Sequence, residues 1–291
     1  MVLDEAGRTR VVEHASGQGT WRMEFLAASA RLAPFARRFN AYAEHGTGFA
    51  RRREPPSGLT TLVFNLGREL RVEHPRGVRS VYPEGAGFFA GLHHTHALTE
   101  TDGAQEGVQA MLTPLGARRL LGLPLDEIGG RLIAPGDLFG PAAREVVEHL
   151  HETDAHSRRL AILERFVEQR LAAAGGSVPR DLAWALRRLQ DSAGRVGVGA
   201  LAEELGCSRK HLTTRFRREF GMAPKLLARV LRFDRATRLL KGGHAASLAA
   251  LADACGYADQ AHMTREFRAF AGSPPTGFLR HLLPDEGGVV D

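Results

Sequence analysis

From about residue 20 to 112 the hydrophobic positions fall in short runs, alternating or β-branched, cut by Gly, Pro and Asp. Leu59–Gly67 reads LTTLVFNLG, and ELRVEH and VQAMLTP follow. Runs of this length and chemistry predict strands. Gly85, Gly87 and Gly91 punctuate EGAGFFAGLHH, as bends of a compact sheet or barrel would require. At Pro114 the hydrophobic period lengthens to that of a helix. PLGARRLLG predicts one or two helical turns, and Pro141–His151 places Val146, Val147 and Leu150 on one face. In the next segment Leu160, Leu163, Phe166, Val167 and Leu171 recur at helical spacing, with Asp154 as the expected N-cap. That stripe must be buried, either on the chain's own sheet or on a second copy. AAAGGSVPR, residues 172–180, then breaks the pattern with Gly-Gly and Pro and predicts an interdomain linker.

Beyond it come a helix, DLAWALRRLQ, and a segment written twice. In the first copy Leu201, Ala202 and Leu205 form a short helix ended by Gly206. Ser208 can cap the next helix, which turns Leu212, Phe216 and Phe220 inward. In the second, Leu248, Leu251 and Ala252 precede Gly256, Asp259 can cap, and Met263, Phe267 and Phe270 point inward. A Gly between two short helices, with a polar cap opening the second, is the pattern of a helix-turn-helix. Both copies carry Leu-Ala, the turn Gly, His, Thr, Phe-Arg, Gly and Pro, about fifty positions apart.

Charge sharpens the picture. The 291 residues carry a formal +6, with 43% hydrophobic and 25% charged residues, the proportions of a globular chain. Between Arg195 and Arg280 there are fifteen Lys and Arg against seven Asp and Glu, so this segment is +8 and the remainder about −2. A basic module joined to a mildly acidic one is the electrostatic footprint of a nucleic-acid-binding module attached to something else. No stretch approaches eighteen apolar residues, so no membrane partner is expected. The N-terminus MVLDEAGRTR has no apolar signal core, and a cytoplasmic, nucleoid-associated location is expected. Two cysteines, Cys207 and Cys255, make neither a disulfide framework nor a zinc set and are expected to be small buried residues.

The doubled segment resembles the DNA-binding domain of the AraC/XylS family of bacterial transcription regulators. The resemblance rests on LAEELGCSRKHLTTRFRREFG, on Arg232, Ala236, Leu239 and Leu240 in RVLRFDRATRLL, and on the second unit with Gly256-Tyr257, Phe267 and Pro275. GSPP stands where the family usually has Thr before its Pro. VQAMLTPLGARRLLGLPLDEIGGRLIAPGDLFG is similar to the sensor domain of one branch of such regulators. The resemblance implies an α+β chain. Residues 1–172 would be a β-rich, cupin-like sensor domain with trailing helices, 173–180 a linker, and 181–291 an all-α domain of two helix-turn-helix units joined by a linker helix. It implies sequence-specific binding to double-stranded DNA, a small-molecule effector, a homodimer, a contact with RNA polymerase in an activator, and no enzymatic activity.

Where the family reads base edges, this chain has Arg209, Lys210, Thr213 and Thr214 in the first unit and Gln260, Ala261, Thr264 and Arg265 in the second. Arg217, Arg218 and Arg268 are expected on phosphate. Arg and Lys suit guanine O6 and N7, and Thr suits the thymine methyl. One recognition helix reads only a few base pairs, and a chain that carries two reads a longer site alone. The linker from Pro224 to Leu240 would span about 25 Å as a helix. His211 and His262, beside core positions, are expected to pack or cap.

One motif stands outside this scheme. In HHTHALTE, His94, His96 and Glu100 resemble the metal-binding strand motif of cupins, with Gly107 where that motif ends. Three roles stay open for them: a metal site, the wall of an effector pocket, or none. The second motif that would complete a cupin metal set is missing, so no metal or other cofactor is expected, and a cupin-type metalloenzyme fused to a DNA-binding domain is the alternative. No nucleophile constellation, phosphate loop or nucleotide fingerprint appears, so no catalytic residue is expected.

Overall fold

The computed structural model describes residues 7–16, 19–46, 48, 50–73, 77–128, 130–243, 245–282 and 289–290. Two sheets build the N-terminal half. The first runs in the order β1 (Thr9–Ser16), β2 (Gly19–Ala27), β3 (Ala36–His45), β10 (Ala104–Leu112), β5 (Thr60–Asn65), β8 (Gly87–Ala90) and β11 (Leu132–Ile133). The second runs β12 (Val289–Val290), β4 (Ala50–Glu54), β9 (Ala97–Thr101), β6 (Leu70–Glu73) and β7 (Arg79–Tyr82). Four helices trail them: α1 (Pro114–Leu121), α2 (Pro135–Phe139), α3 (Pro141–His151) and α4 (His156–Ala173). The β-rich region therefore begins at Thr9, earlier than the sequence pattern suggests, because β1 and β2 mix charged and apolar residues on half-exposed faces.

Strand alternation gives the first sheet two unlike faces. On one, Phe39, Ala41, Leu62, Phe64, Phe89, Val108, Ala110 and Leu112 are buried, and α4 covers them with Leu160, Leu163, Phe166, Val167 and Leu171. The helical stripe is thus spent on the chain's own sheet, and Phe166 stands edge-on to Phe64 at 6.1 Å. On the other face Val63 and Phe88 meet Leu70 and Val72 of the second sheet. Farther along, the space between the sheets is polar. Glu44 of β3 pairs with Arg52 of β4 at 2.6 Å, and Gln105 Nε2 donates to Asn65 Oδ1 at 2.8 Å. Burial, and next the Glu54 carboxylate, pushes the Tyr42 hydroxyl far above the usual tyrosine range.

The second half is helical: α5 (Arg180–Asp191), α6 (Val198–Glu204), α7 (Arg209–Phe220), α8 (Pro224–Lys241), α9 (Leu248–Ala254), α10 (Gln260–Ala271) and α11 (Pro275–Arg280). One hydrophobic cluster unites them, from Leu182 and Leu186 through Phe216, Phe220 and Phe233 to Phe267 and Phe270. Two expectations need correction. Asp154 caps nothing: α4 has Ala155 at its N-cap with no side-chain cap bond, and it is Thr153 Oγ1 that accepts from the Ala155 N–H. The chain end is not helical either, since Val289–Val290 returns to pair with Arg52 and Arg53 of β4. Val289 is 2% exposed, so burial of this one side chain accompanies the short pairing, while Val290 stays exposed.

His156 opens α4 with its ring buried, Nε2 standing 3.9 Å from Glu106 Oε1, the carboxylate that Arg159 also engages. Burial first, and the Arg22 charge second, lower its pKa below the ordinary 6.5. The unfolded chain therefore takes up this proton before the folded one. The associated stability is present above about pH 6.5 and is lost as pH falls below it. The urea midpoint should drop between about pH 7.5 and 5.5, and by less in His156→Gln; equal drops in the two proteins would contradict this. Leu163→Ala, at a fully buried site on α4, should cost about 2–5 kcal/mol in the same experiment.

Candidate nucleic-acid interface

The two written copies fold as copies. Helices α7 and α10 each have twelve residues and lie 51 positions apart, from Ser208 to Asp259 at their N-caps. Ser208 Oγ accepts from the His211 N–H at 3.2 Å, and Asp259 Oδ1 from the His262 N–H at 2.6 Å. Each cap satisfies a donor that the first helical turn leaves without a partner. Both helices end on a left-handed glycine, Gly221 at φ 74° and Gly272 at φ 73°. Leu212, Phe216 and Phe220 of α7 are buried, as are Met263, Phe267 and Phe270 of α10.

Burial of those stripes decides what faces outward. Arg209, Lys210, Thr214, Arg217 and Arg218 are exposed on α7, with Thr213 half-buried. On α10, Gln260, Ala261, Arg265 and Arg268 are exposed and Thr264 is half-buried; together these five line a shallow surface depression of about 440 Å³. Every residue that the sequence assigns to DNA thus lies outside the core. The two outward faces differ: positions carrying Arg209, Lys210 and Thr214 on α7 carry Gln260, Ala261 and Arg265 on α10.

Two arginines that the sequence pattern does not single out as functional hold the units in place. Arg232 of α8 donates to the Gly194 carbonyl at 2.8 Å and lies over the Tyr257 ring at 5.7 Å. Arg229 donates from Nε to Glu266 Oε1 at 2.6 Å and covers Phe270 at 5.2 Å. Glu266 is 3% exposed, a carboxylate inside the core side of a reading helix. Its spacing from Arg265 hides this role, because only the fold shows which of two neighbouring polar residues turns inward. Asp181 and Arg215 join α5 to α7 at 2.5 and 3.1 Å, and the guanidinium holds the Asp181 carboxyl below the usual range.

The histidines and cysteines of the two units differ in burial. His262 stands edge-on to Tyr257 at 5.3 Å with Nε2 3.6 Å from Glu266, while His211 contributes its capped N–H and leaves its ring exposed. Cys255 is buried, and the environment pushes its thiol pKa up; Cys207 is only half-buried. The HHTHALTE motif takes another course than the cupin pattern. His94 and His96 precede β9 in an irregular segment, so strand alternation does not align them. His94 is exposed, His96 lies against Gly272, and Glu100 faces Arg51 at 3.4 Å. Among the described residues no three His, Cys, Asp or Glu form a metal-binding group, and no helix is long and apolar enough to cross a membrane.

Arg229→Ala would leave the buried Glu266 carboxylate without its guanidinium partner. Its cost should be roughly 3 kcal/mol in urea unfolding, the low end for a broken buried pair because Arg229 is itself partly exposed. Glu266→Gln, which removes the buried charge as well, should cost less; the reverse order would contradict the role given to Arg229.

Comparison with known proteins agrees with this geometry. The family model described as "Helix-turn-helix domain" matches residues 201–281. No curated protein matches the chain. Among solved structures, an apo lysine-to-alanine variant of ToxT from Vibrio cholerae is 13% identical, covers 84% of this chain and 98% of its own, and has a TM-score of 0.50. A second crystal form of ToxT from the same organism is 10% identical over 94% and 98%, with a TM-score of 0.48. The C-terminal domain of AraT, a response regulator from Geobacillus stearothermophilus, is 20% identical over 38% and 93%, with a TM-score of 0.33. Likenesses at such identity concern the fold alone. The matched span and the doubled, capped units agree: residues 201–281 of this chain are similar to the helix-turn-helix domain family.

Proposed function

We propose that the chain is a sequence-specific transcription regulator in which residues 181–291 read an asymmetric duplex site and residues 1–172 form a sensor, with 173–180 between them. The observation that carries this reading is the pair of equal, capped helices whose exposed faces differ in chemistry. Arg209, Lys210, Thr213 and Thr214, and Gln260, Ala261, Thr264 and Arg265, meet base edges; Arg217, Arg218 and Arg268 meet phosphate. Such a protein works in the cytoplasm on the nucleoid and needs no catalytic residue. A small-molecule effector binds the N-terminal half, and the polar groups enclosed between its sheets, Glu44, Arg52, Asn40, Gln105 and Asn65, support that assignment.

A homodimer completes the proposal, but not through the apolar stripe of α4, which is internal. The outer side of α3 and α4 carries a groove of about 640 Å³ floored by Val146, Ile162 and Phe166. Glu145 and Glu152 stand on its α3 side and Arg158 and Arg165 on its α4 side. A two-fold axis would set the acidic helix of one copy against the basic helix of the other. Two copies place four reading helices on one operator, and tethering raises the effective concentration of the second pair. Contact with RNA polymerase belongs to this scheme if the protein activates.

Selection of duplexes from a random pool by the full chain tests the core of the proposal, and enrichment of no sequence would refute it. With the enriched duplex, Lys210→Ala or Arg265→Ala should cost about 1–3 kcal/mol and relax preference at one or two positions. Arg217→Ala should weaken all sequences alike and lower the salt slope by about one. Identical selectivity profiles for the three variants would contradict these roles.

A further inference from the structure

The two halves of the molecule meet at the far end of each reading helix. A Cβ built on Gly272, the C-cap of α10, would lie 2.9 Å from His96 Cε1 and 3.0 Å from Arg53 Nη1. One built on Gly221, the C-cap of α7, would lie 3.0 Å from the Leu125 carbonyl oxygen. Beside Gly221 the contact is an ion pair. Arg118 of α1 donates from Nε to Glu219 Oε2 at 2.8 Å, with side chains 9% and 14% exposed. The same guanidinium lies under the interdomain linker. A Cβ on Gly176 would come within 3.2 Å of Arg118 Nη1 and 3.2 Å of the Gly122 Cα. Arg118 therefore touches the N-terminal half, the linker and a reading helix at once, and the second linker glycine has a packing reason to be glycine.

We propose that the Arg118–Glu219 pair is a positioning contact for DNA reading, through which the N-terminal half sets the angle of α7. This rests on the regulator assignment above. A buried ion pair is a poor way to gain stability, since desolvation offsets its attraction and apolar side chains would pack as well. What the pair adds is direction: a guanidinium nitrogen and a carboxylate oxygen hold a narrow range of distance and angle. The position of the pair gives it leverage. From Glu219 back to Lys210 is nine residues, about 14 Å of helix. A pivot of about 10° at Glu219 would carry Lys210 some 2 Å, several times the tolerance of a hydrogen bond to a base edge. The outward face of α7 stays exposed while its C-terminal end is held, so the N-terminal half acts on geometry and not by covering the reading surface. At α10 the corresponding hydrogen bond, Arg53 Nη1 to the Ala271 carbonyl, is long at 3.5 Å. The ion-paired end of α7 is the tighter of the two grips.

The test uses the full chain and the duplex it enriches from a random pool, together with versions lengthened or shortened by about one base pair between the two half-sites. In Arg118→Ala and in Glu219→Gln, Kd for the enriched duplex should rise about tenfold. Kd for an unrelated duplex should change less than about twofold, because phosphate contacts are untouched. The penalty for altered spacing should shrink in both variants. Glu219→Gln keeps the side-chain shape and carries the test should Arg118→Ala fail to fold. The double variant Arg118→Met with Glu219→Met restores packing without direction and should stay as unselective as the single variants. Unchanged selectivity in the single variants, equal losses on both duplexes, or full selectivity in the double variant would each overturn the proposal. If the wild-type chain enriches no duplex, the regulator assignment falls and this inference with it; enrichment with unaltered variants sinks this inference alone.

Discussion

Helix α8 is the element on which the DNA-binding half depends. Its inward side chains Leu227, Val230, Phe233 and Ala236 are fully buried and belong to the same cluster as the buried stripes of α7 and α10. Phe233 stands edge-on to Phe267 at 4.9 Å and to Phe270 at 5.3 Å. Two helix-turn-helix units on a flexible tether would each find DNA independently. Packed on one continuous strut into one core, they are held to a narrow range of relative placements, and a packed interior resists large deformation. Arg232 and Arg229 add direction to that packing by fastening α8 to Gly194 and Glu266.

The N-terminal half solves a different packing problem. Its larger sheet has apolar residues on both faces, so each face needs a cover. Helix α4 covers one, and the smaller sheet covers part of the other through Leu70 and Val72. Where the apolar cover ends, Glu44 pairs with Arg52 across the gap, and Gln105 donates to Asn65 within the larger sheet. Burial of polar groups costs least when they are hydrogen-bonded in this way.

The joint between the halves uses contacts of both kinds. Val289 contributes its side chain to the core of the helical half while its backbone pairs with β4 of the sheet half. Arg118 and Glu219 join α1 to α7 over 101 positions of sequence. The helix ends held in this way are those of α7, beside Gly221, and of α10, beside Gly272.

How much of this was legible in the sequence follows from the range of the interactions. The repeated Gly, cap residue and Phe stripe are local signals, each acting within a turn or two of helix, and they alone determined two equal helix-turn-helix units with Ser208 and Asp259 as caps. The linker break at Gly175–Gly176 and the helical stripe Leu160 to Leu171 were equally local. What the stripe packs against was not, because an apolar face is the same whether its cover is the chain's own sheet or another molecule. Strand alternation failed at His94 and His96 because the residues before β9 leave the extended conformation, and only tertiary context sets where a strand begins. The inward turn of Glu266 depends on which face of α10 meets α8, the pairing of Arg118 with Glu219 on contacts made a hundred residues apart, and the return of Val289 to β4 on an edge that exists only once the sheet is assembled. Local periodicity therefore determined the elements and the DNA-reading device, and long-range packing decided which polar residues became locks, which stripe was spent internally and how the two halves are held together.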